Sequence, residues 1–231
     1  MIGTLLRHRG KMIKSFLPAV KRISQVVQVL MQLVLASTSR YRRELLTRLG
    51  LPFEAVAPNT DETALPGENP SALALRLAQA KAWAVAEQFP DALIIGSDQV
   101  ATTRTAASAD KAAQELILGK PGNHDNARRQ LQQLSGNSAH FHTGLALHNT
   151  RNGQTLTELI SIEVRFRTLS DAQIERYLER EQPFDCAGAA KSEGLGIALI
   201  EGILGNDPNA LVGLPLIALT GMLSQFGMPV L

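Results

Sequence analysis

The sequence predicts an α/β fold, and three observations support this prediction. An apolar run at 32–36 is followed by a polar turn and an amphipathic segment at 40–49, which is the order strand, turn, helix. The run at 92–97 is continuously apolar and has the length of a strand, which is typical of a strand buried on both faces of a sheet. Strand-like and helix-like segments then alternate to the C-terminus, so we expect a sheet flanked by helices.

Local signals set the boundaries of the predicted elements. Ser37 and Ser39 are candidate N-caps of the first helix, and Gly50 ends it. Ser170 and Gln173 have the spacing of a capping box. We predict helices at 40–49, 70–89, 125–134, 170–180 and 215–225, and strands at 32–36, 53–57, 92–97, 140–147, 159–167 and 194–200. The polar, alanine-rich stretch 102–118 is predicted to be a surface loop.

The composition is that of an ordinary globular protein. With 231 residues, 45% of them hydrophobic, the chain is long enough for one large domain or a two-lobed one. Cys186 is the single cysteine, which excludes an internal disulfide and a multi-cysteine zinc site. This cysteine usage fits a reducing compartment, and we expect a cytoplasmic protein.

Basic residues are concentrated near the N-terminus. Residues 1–30 contain six of the 23 basic residues and no acidic one, which leaves 17 basic against 21 acidic residues, a net charge of −4, in the rest. We therefore expect no nucleic-acid partner. The same segment lacks the run of roughly 18–20 apolar residues that spans a membrane, and we expect no membrane partner. We predict a dispensable extension at 1–30 and a folded domain at 31–231; a role of the extension in targeting or at a membrane surface is the alternative.

The turn before the first helix has the features of a phosphate-binding site. Ser37 and Ser39 offer hydroxyls, and the helix N-terminus offers free amides. The first turn carries Arg40, Arg42 and Arg43, whose charges oppose the helix dipole unless an anion binds there. The alternative is a capped surface helix with solvated arginines.

Two lysines and a set of carboxylates are the other candidates. Lys81 extends an apolar stripe of the second helix, so its ammonium either reaches the surface or meets a buried anion. Lys120 lies in a tight loop, where it is a phosphate ligand or an ordinary exposed side chain. Asp98 ends an apolar strand, a position where ligands of α/β sheets gather. Together with Asp61 and Glu62 it is a candidate for binding a hard cation or accepting a proton.

Other patterns are given no functional interpretation. His140 and His142 share one face of a strand, but two histidines without a third ligand are more often packing or surface residues. Gly194 and Gly196 lack the strand-to-helix context of a dinucleotide fingerprint. Cys186 has no histidine near it in sequence, so we expect a small buried side chain.

Five ordered blocks together resemble the Maf family of nucleotide pyrophosphatases. They are Leu-Ala-Ser-Thr-Ser-x-x-Arg-Arg-Glu-Leu-Leu (35–46), Asp-Glu-Thr (61–63), Leu-Arg-Leu-Ala-Gln-x-Lys-Ala (75–82), Ile-Ile-Gly-Ser-Asp-Gln-Val (94–100) and Gly-Lys-Pro (119–121). Two later blocks, 186–197 and 211–219, look like the 7-methyl-GTP subgroup rather than the dTTP/UTP subgroup. The resemblance covers the chain from residue 32 to the C-terminus.

The resemblance implies a mixed α/β, two-lobed fold like that of inosine triphosphatases, a homodimer, and an active site in a cleft. It implies hydrolysis of 7-methyl-GTP to 7-methyl-GMP and pyrophosphate with a divalent cation, Mg²⁺, Mn²⁺ or Co²⁺. Residue by residue it implies the proton acceptor Asp98, catalytic Lys81 and Lys120, metal ligands Glu62 and Asp98, and substrate-binding Ser37, Ser39, Tyr41, Arg42, Gln99, Lys191 and Glu193. Of these, Tyr41, Gln99 and Glu193 occupy the family's specificity positions.

The chain departs from the family pattern in three places. Arg40 stands where the family usually has proline, and Tyr41 where the subgroup often has tryptophan. The stretch 102–118 is longer than the usual hairpin. Three other interpretations stay open: a pyrophosphatase for another modified or unmodified nucleotide, a nucleotide-binding regulator of cell division that does not hydrolyse, and a membrane-associated protein driven by the extension.

Overall fold

The computed structural model describes residues 31–104 and 115–231, so the predicted extension at 1–30 lies outside the described residues. The described chain forms a seven-stranded sheet with helices against it. The strands are β1 (Gln32–Ala36), β2 (Glu54–Val56), β3 (Ala92–Arg104), β4 (Glu115–Leu118), β5 (Ser138–Asn149), β6 (Thr155–Phe166) and β7 (Ile200–Leu204). The helices are α1 (Arg40–Thr47), α2 (Pro70–Ala84), α3 (His124–Leu134), α4 (Asp171–Glu181) and α5 (Leu216–Gln225).

The sheet is mixed, which confirms the predicted fold class. Its strand order is β2-β1-β3-β5-β6-β7, and β4 pairs with β3 beside this path. β1 is parallel to both β2 and β3, whereas the other pairs are antiparallel. The parallel pairing of β3 with β1 ends at Ile95, but its antiparallel pairing with β5 continues to Thr103. The edge of β3 is therefore left without β1 beyond Ile95.

Two helix-covered regions share the long strands, which corresponds to the predicted two lobes. In the first, Leu33 and Leu35 of β1 join the core with α1 and α5, while Val34 and Ala36 join the core with α2 on the other face. In the second, residues of α3 and α4 pack on the far halves of β5 and β6, around Phe141. Among the described residues, no helix is long and apolar enough to cross a membrane.

α2 lies unusually close to the sheet at two glycines. A Cβ atom on Gly96 would be 2.0 Å from the carbonyl oxygen of Ala78, and one on Gly144 would be 2.3 Å from that of Ala74. Ala74 and Ala78 are themselves fully buried. Only glycine on the strands and alanine on the helix allow this approach, because any larger side chain would push the two backbones apart.

Several predicted boundaries are confirmed and others shift. Ser39 is the N-cap of α1 and accepts from the Arg42 amide, and Ser170 and Gln173 form a complete capping box. The second helix ends at Ala84, not at 89, and a short 3₁₀ turn, Ala86–Gln88, follows it. Each such shift lies at an element end, where local signals compete with tertiary packing.

The prediction that a strand ends at 97 was wrong. β3 runs on to Arg104 because β4 and β5 continue to pair with it, so Asp98 and Gln99 lie in mid-strand. The predicted loop 102–118 was also wrong at both ends, which belong to β3 and β4; residues 105–114 lie outside the described residues.

The predicted strand at 194–200 was wrong as well. The chain forms a 3₁₀ turn at Leu195–Leu199, and β7 begins only at Ile200. The amides of Gly194 and Gly196 both donate to the carbonyl oxygen of Lys191, 3.0 Å away, which curls the backbone. A Cβ atom on Gly196 would be 2.5 Å from that oxygen, so glycine is required for the curl.

We expect Gly96→Ala to destabilise the fold, because the added methyl group meets backbone atoms of α2 that have no room to move. The expected loss in the free energy of unfolding, measured by urea denaturation, is at least about 2 kcal/mol. Gly202→Ala in β7 is the matched control, since a Cβ there meets nothing within 4 Å. Equal stabilities of the two variants would contradict the close approach.

Candidate active site

A cleft of about 660 Å³ lies where β1 ends beside β3. Eight parts of the chain contribute to its walls: the turn and first helical turn at 37–42, the loop residues 57–60 with Glu62, Lys81 of α2, Asp98 and Gln99 of β3, Lys120, Phe141 of β5, and residues of the segments 185–193 and 211–213. The cleft therefore collects nearly all the residues that the sequence singled out for chemistry.

Lys81 joins two carboxylates at the floor of the cleft. Its Nζ lies 2.5 Å from Asp98 Oδ1 and 2.6 Å from Glu62 Oε1. The side chains of Lys81 and Asp98 are 7% and 12% exposed, whereas that of Glu62 is 60% exposed. A lysine so deeply buried needs an anionic partner, and Asp98 supplies it. Of the two interpretations of Lys81, the buried anion is correct.

Glu62 and Asp98 differ in how their carboxylate oxygens are engaged in hydrogen bonds. The hydrogen bond from Lys81 lowers the pKa of Glu62, which keeps this carboxylate ionised. Lys81 occupies Asp98 Oδ1, and no described residue donates to Asp98 Oδ2. Asp98 thus presents one oxygen to the cleft. Asp61 is separate from this pair: it is exposed, and its Oδ1 accepts from the Thr63 amide at 2.9 Å.

The predicted anion cradle, the turn at the start of α1, lines the cleft. Ser37 Oγ accepts from the Ser39 amide at 3.1 Å and from Arg42 Nη1 at 3.5 Å. Arg42 Nε donates to the carbonyl oxygen of Gly213 at 2.8 Å, which fixes the guanidinium against the cleft wall. Burial lowers the pKa of Arg42. A desolvated guanidinium next to hydroxyls at a helix N-terminus favours a bound anion.

Gln99 is fixed by the turn at 210–213. Its Nε2 donates to the carbonyl oxygens of Ala210 and Leu211 at 2.8 and 3.1 Å. The hydroxyls of Thr143 and Ser97 donate to carbonyl oxygens of the same turn, those of Ala210 and Gly213, both at 2.9 Å. The amide nitrogen of Gln99 is therefore engaged, and Oε1 is the atom left for a ligand.

Ser97 and Thr143 were missed by the sequence analysis. Both are fully buried in long strands, where a small hydroxyl residue looks like any other residue of a strand. Their partners lie more than 40 positions away in sequence, so no local pattern marks them.

Tyr41, Asp185, Cys186 and Glu193 also line the cleft. Tyr41 OH donates to Asp185 Oδ2 at 3.3 Å, and the Cys186 thiol lies 3.7 Å from the same hydroxyl. Burial raises the pKa of Tyr41 to about 12 and that of Cys186 to about 11, so both stay protonated at neutral pH. Cys186 is half-buried at the cleft, not the fully buried residue expected.

Lys191 is not among the residues that line the cleft. Its Nζ lies 2.5 Å from Glu181 Oε1, and Glu181 Oε2 accepts from the Leu195 amide at 2.7 Å. The Lys191 amide donates to the hydroxyl of the buried Tyr177 at 3.1 Å. These bonds hold the turn that carries Glu193 into the cleft. Lys191 therefore supports the position of Glu193 without lining the cleft itself.

His142 contacts the hydroxyls of two serines. His142 Nδ1 lies within hydrogen-bond distance of Ser71 Oγ and Ser161 Oγ, at 3.3 and 2.8 Å. Within residues 31–104 and 115–231, no group of three or more His, Cys, Asp or Glu side chains is placed to hold a metal ion. Any cation in the cleft would therefore have to draw further ligands from substrate or water.

The fold and the cleft define a mixed α/β protein whose site combines an anion cradle with a lysine-bound pair of carboxylates. The family model described as Maf-like protein matches residues 32–226, and the chain belongs to this family. A relative from Thiobacillus denitrificans named 7-methyl-GTP pyrophosphatase is 57% identical over 86% of this chain and 94% of its own length. Relatives of the same name from Nitrosococcus oceani and Burkholderia thailandensis are 54% and 55% identical over 86% of this chain, covering 95% and 89% of their own lengths.

The Glu181–Lys191 pair gives a testable dependence of stability on pH. Lys191 lowers the pKa of Glu181 below its usual 4.5, so the pair stabilises the fold above that pH and loses its effect as the pH falls through the lowered pKa. Glu181→Gln should lower the free energy of unfolding by about 1–3 kcal/mol near neutral pH. This deficit should shrink as the pH falls through the lowered pKa, where Glu181 of the parent protein is itself being protonated.

Urea denaturation at several pH values measures this difference. Glu179→Gln is the matched control, because Glu179 is exposed on the same helix and should show no deficit at any pH. A deficit of Glu181→Gln that is the same in acid as at neutral pH would contradict the ion pair.

Proposed function

We propose that this chain is a nucleotide pyrophosphatase that hydrolyses 7-methyl-GTP to 7-methyl-GMP and pyrophosphate. The observation that carries the proposal is the contact of Lys81 with Asp98 and Glu62 at the floor of a cleft whose rim is an anion cradle. The names of the relatives, which cover nearly all of the folded domain, supply the substrate.

The triphosphate binds along the cationic side of the cleft. Arg42 is fixed by Gly213 and faces the same space as the hydroxyls of Ser37 and Ser39. Lys120 is exposed, lines the cleft and adds a second cation. Fixed donors of this kind hold phosphate oxygens without having to reorganise, which is the main source of catalysis in phosphoryl transfer.

Asp98 accepts the proton of the attacking water. Its Oδ1 is held by Lys81, so the carboxylate has a defined orientation, and Oδ2 is the oxygen open to the water. The water attacks the α-phosphorus, the bond from the α-phosphorus to the bridging oxygen breaks, and pyrophosphate leaves with that oxygen. Lys81 limits the cost of placing two carboxylates near the polyphosphate, because its ammonium lies between them and is itself shielded from solvent.

Glu62 and Asp98 are the residues that would hold a divalent cation. Their oxygens lie close together, since both contact the same ammonium nitrogen, and carboxylate oxygens suit Mg²⁺, Mn²⁺ or Co²⁺. Two carboxylates also match the way Mg²⁺ is usually bound, with phosphates and waters completing its shell. When bound there, the cation neutralises charge on the phosphate oxygens.

The base binds next to Tyr41 and Glu193. Methylation of N7 makes guanine a cation, which is favoured by the face of Tyr41 and by the carboxylate of Glu193. Gln99 offers only its Oε1, because its Nε2 is held by backbone carbonyls. A fixed acceptor suits the N–H donors of guanine and would repel a base edge made of acceptors.

We also propose that the protein acts as a homodimer in the cytoplasm and that residues 1–30 are outside the catalytic domain at 31–231. The family match at 32–226 supports this boundary. The dimer and the compartment rest on the family resemblance and the cysteine usage.

Release of pyrophosphate from 7-methyl-GTP, GTP, dTTP and UTP, with Mg²⁺ or Mn²⁺, tests the reaction and its base together. We expect preferential cleavage of 7-methyl-GTP, with kcat falling about 10²- to 10⁴-fold in Asp98→Asn because the proton acceptor is lost. Asp125→Asn is the control, since Asp125 is 92% exposed and lies outside the cleft.

Other results of this assay distinguish the competing functions. If the protein cleaves another nucleotide preferentially, the proposed substrate is wrong but the proposed reaction still holds. Tight binding of nucleotide without metal-dependent release of pyrophosphate would refute the enzyme and leave a binding regulator.

The role of Glu193 is tested by selectivity. Glu193→Gln removes the negative charge but keeps the shape, so the ratio of kcat/KM for 7-methyl-GTP to that for GTP should fall about three- to tenfold. The exposed Glu87 of the 3₁₀ turn after α2 provides the control variant Glu87→Gln. An unchanged ratio would count against Glu193 as a specificity residue.

A further inference from the structure

Arg40 packs against the side chain next to it in sequence. Its guanidinium carbon lies over the ring of Tyr41, 4.6 Å from the ring centroid. Its Nη2 donates to Tyr41 OH at 2.6 Å and lies 3.8 Å from Asp185 Oδ2. Tyr41 OH in turn donates to the same carboxylate oxygen. A planar cation is thus held between an aromatic face and a carboxylate, within the cleft.

This arrangement is open to competition. Arg40 and Asp185 are 64% and 57% exposed, and ion pairs at such exposed positions stabilise a fold little. Both residues line the same cleft as Asp98 and Glu193. A ligand that enters the cleft and needs the Tyr41 face must therefore displace a weakly held side chain.

The guanidinium and a 7-methylguanine ring have related chemistry. Both are planar, delocalised cations with N–H donors on their edges, and both stack on aromatic faces while their edges bond to carboxylates. We infer that Tyr41 and Asp185 form a subsite for a planar cation, which Arg40 fills in the free protein and the cationic base fills in the complex. This inference rests on the proposed function and adds Asp185 to it as a specificity-determining residue.

A different role for Arg40 makes the opposite prediction. Arg40 is one of three arginines at the start of α1, and it would hold a phosphate if it acted like Arg42. Its loss would then weaken the binding of every nucleotide. As an occupant of the base subsite, its loss removes a competitor and strengthens binding. A ligand without phosphate separates these two roles.

Binding of 7-methylguanosine and of guanosine, measured by calorimetry or ligand-observed NMR, is the decisive experiment. We expect Arg40→Ala to lower the Kd of 7-methylguanosine about two- to fivefold, which is the range of one exposed cation–π contact. Asp185→Asn should raise that Kd about fivefold and change the Kd of guanosine less than about twofold, because only the methylated base is charged. Arg43→Ala is the control: it removes a neighbouring charge that makes no ion pair with a described residue.

Three results would overturn the inference: weaker or unchanged binding of 7-methylguanosine in Arg40→Ala, equal effects of Asp185→Asn on both nucleosides, or no detectable binding of 7-methylguanosine to any variant. Failure of the proposed function is seen separately, as absence of pyrophosphate release from 7-methyl-GTP by the parent protein. The nucleoside experiment involves no hydrolysis, so each hypothesis can fail without the other.

Discussion

The close approach of α2 to the sheet is the constraint on which the rest of the site depends. Gly96 and Gly144 let the helix backbone rest on β3 and β5, and this brings the Lys81 ammonium within 2.5 Å of Asp98. A side chain at either position would meet the helix backbone and force α2 away from the sheet. The pair of glycines therefore helps to set the contact between Lys81 and Asp98.

Successive side chains of β3 point to opposite faces of the sheet, and each face contributes different residues to the site. Gly96 and Asp98 point to α2, whereas Ser97 and Gln99 point to the turn at 210–213, where their side chains bond backbone carbonyls. The second set fixes the carbonyl oxygen of Gly213, which also accepts from Arg42 of the anion cradle. One strand thus positions Asp98, the proposed proton acceptor, on one face and helps to fix Arg42 from the other.

The parts of the molecule that sequence could predict are those encoded locally. The capping residue Ser39, the capping box at Ser170 and the apolar register of Lys81 are each visible within a few positions, and each is found in the structure. The length of β3 depends on partners far along the chain, which no local pattern contains. The curl at 194–200 combines local bonds to the Lys191 carbonyl oxygen with a bond from the Leu195 amide to Glu181, and the apolar pattern of the segment reveals neither. The family resemblance gives Lys191 as a substrate-binding residue, but only the fold reveals Glu181 as its partner.

The cleft contains side chains of both charges. Arg42 and Lys120 are proposed to bind the phosphates, Asp185 and Glu193 are proposed to bind the base, and all four line the cleft. The segment that carries Glu193 is held by Tyr177 and Glu181 of α4, whereas Arg42 is held by the carbonyl oxygen of Gly213. Because these two supports are separate, a substitution at Glu193 can change the charge next to the base without moving Asp98 and Lys81.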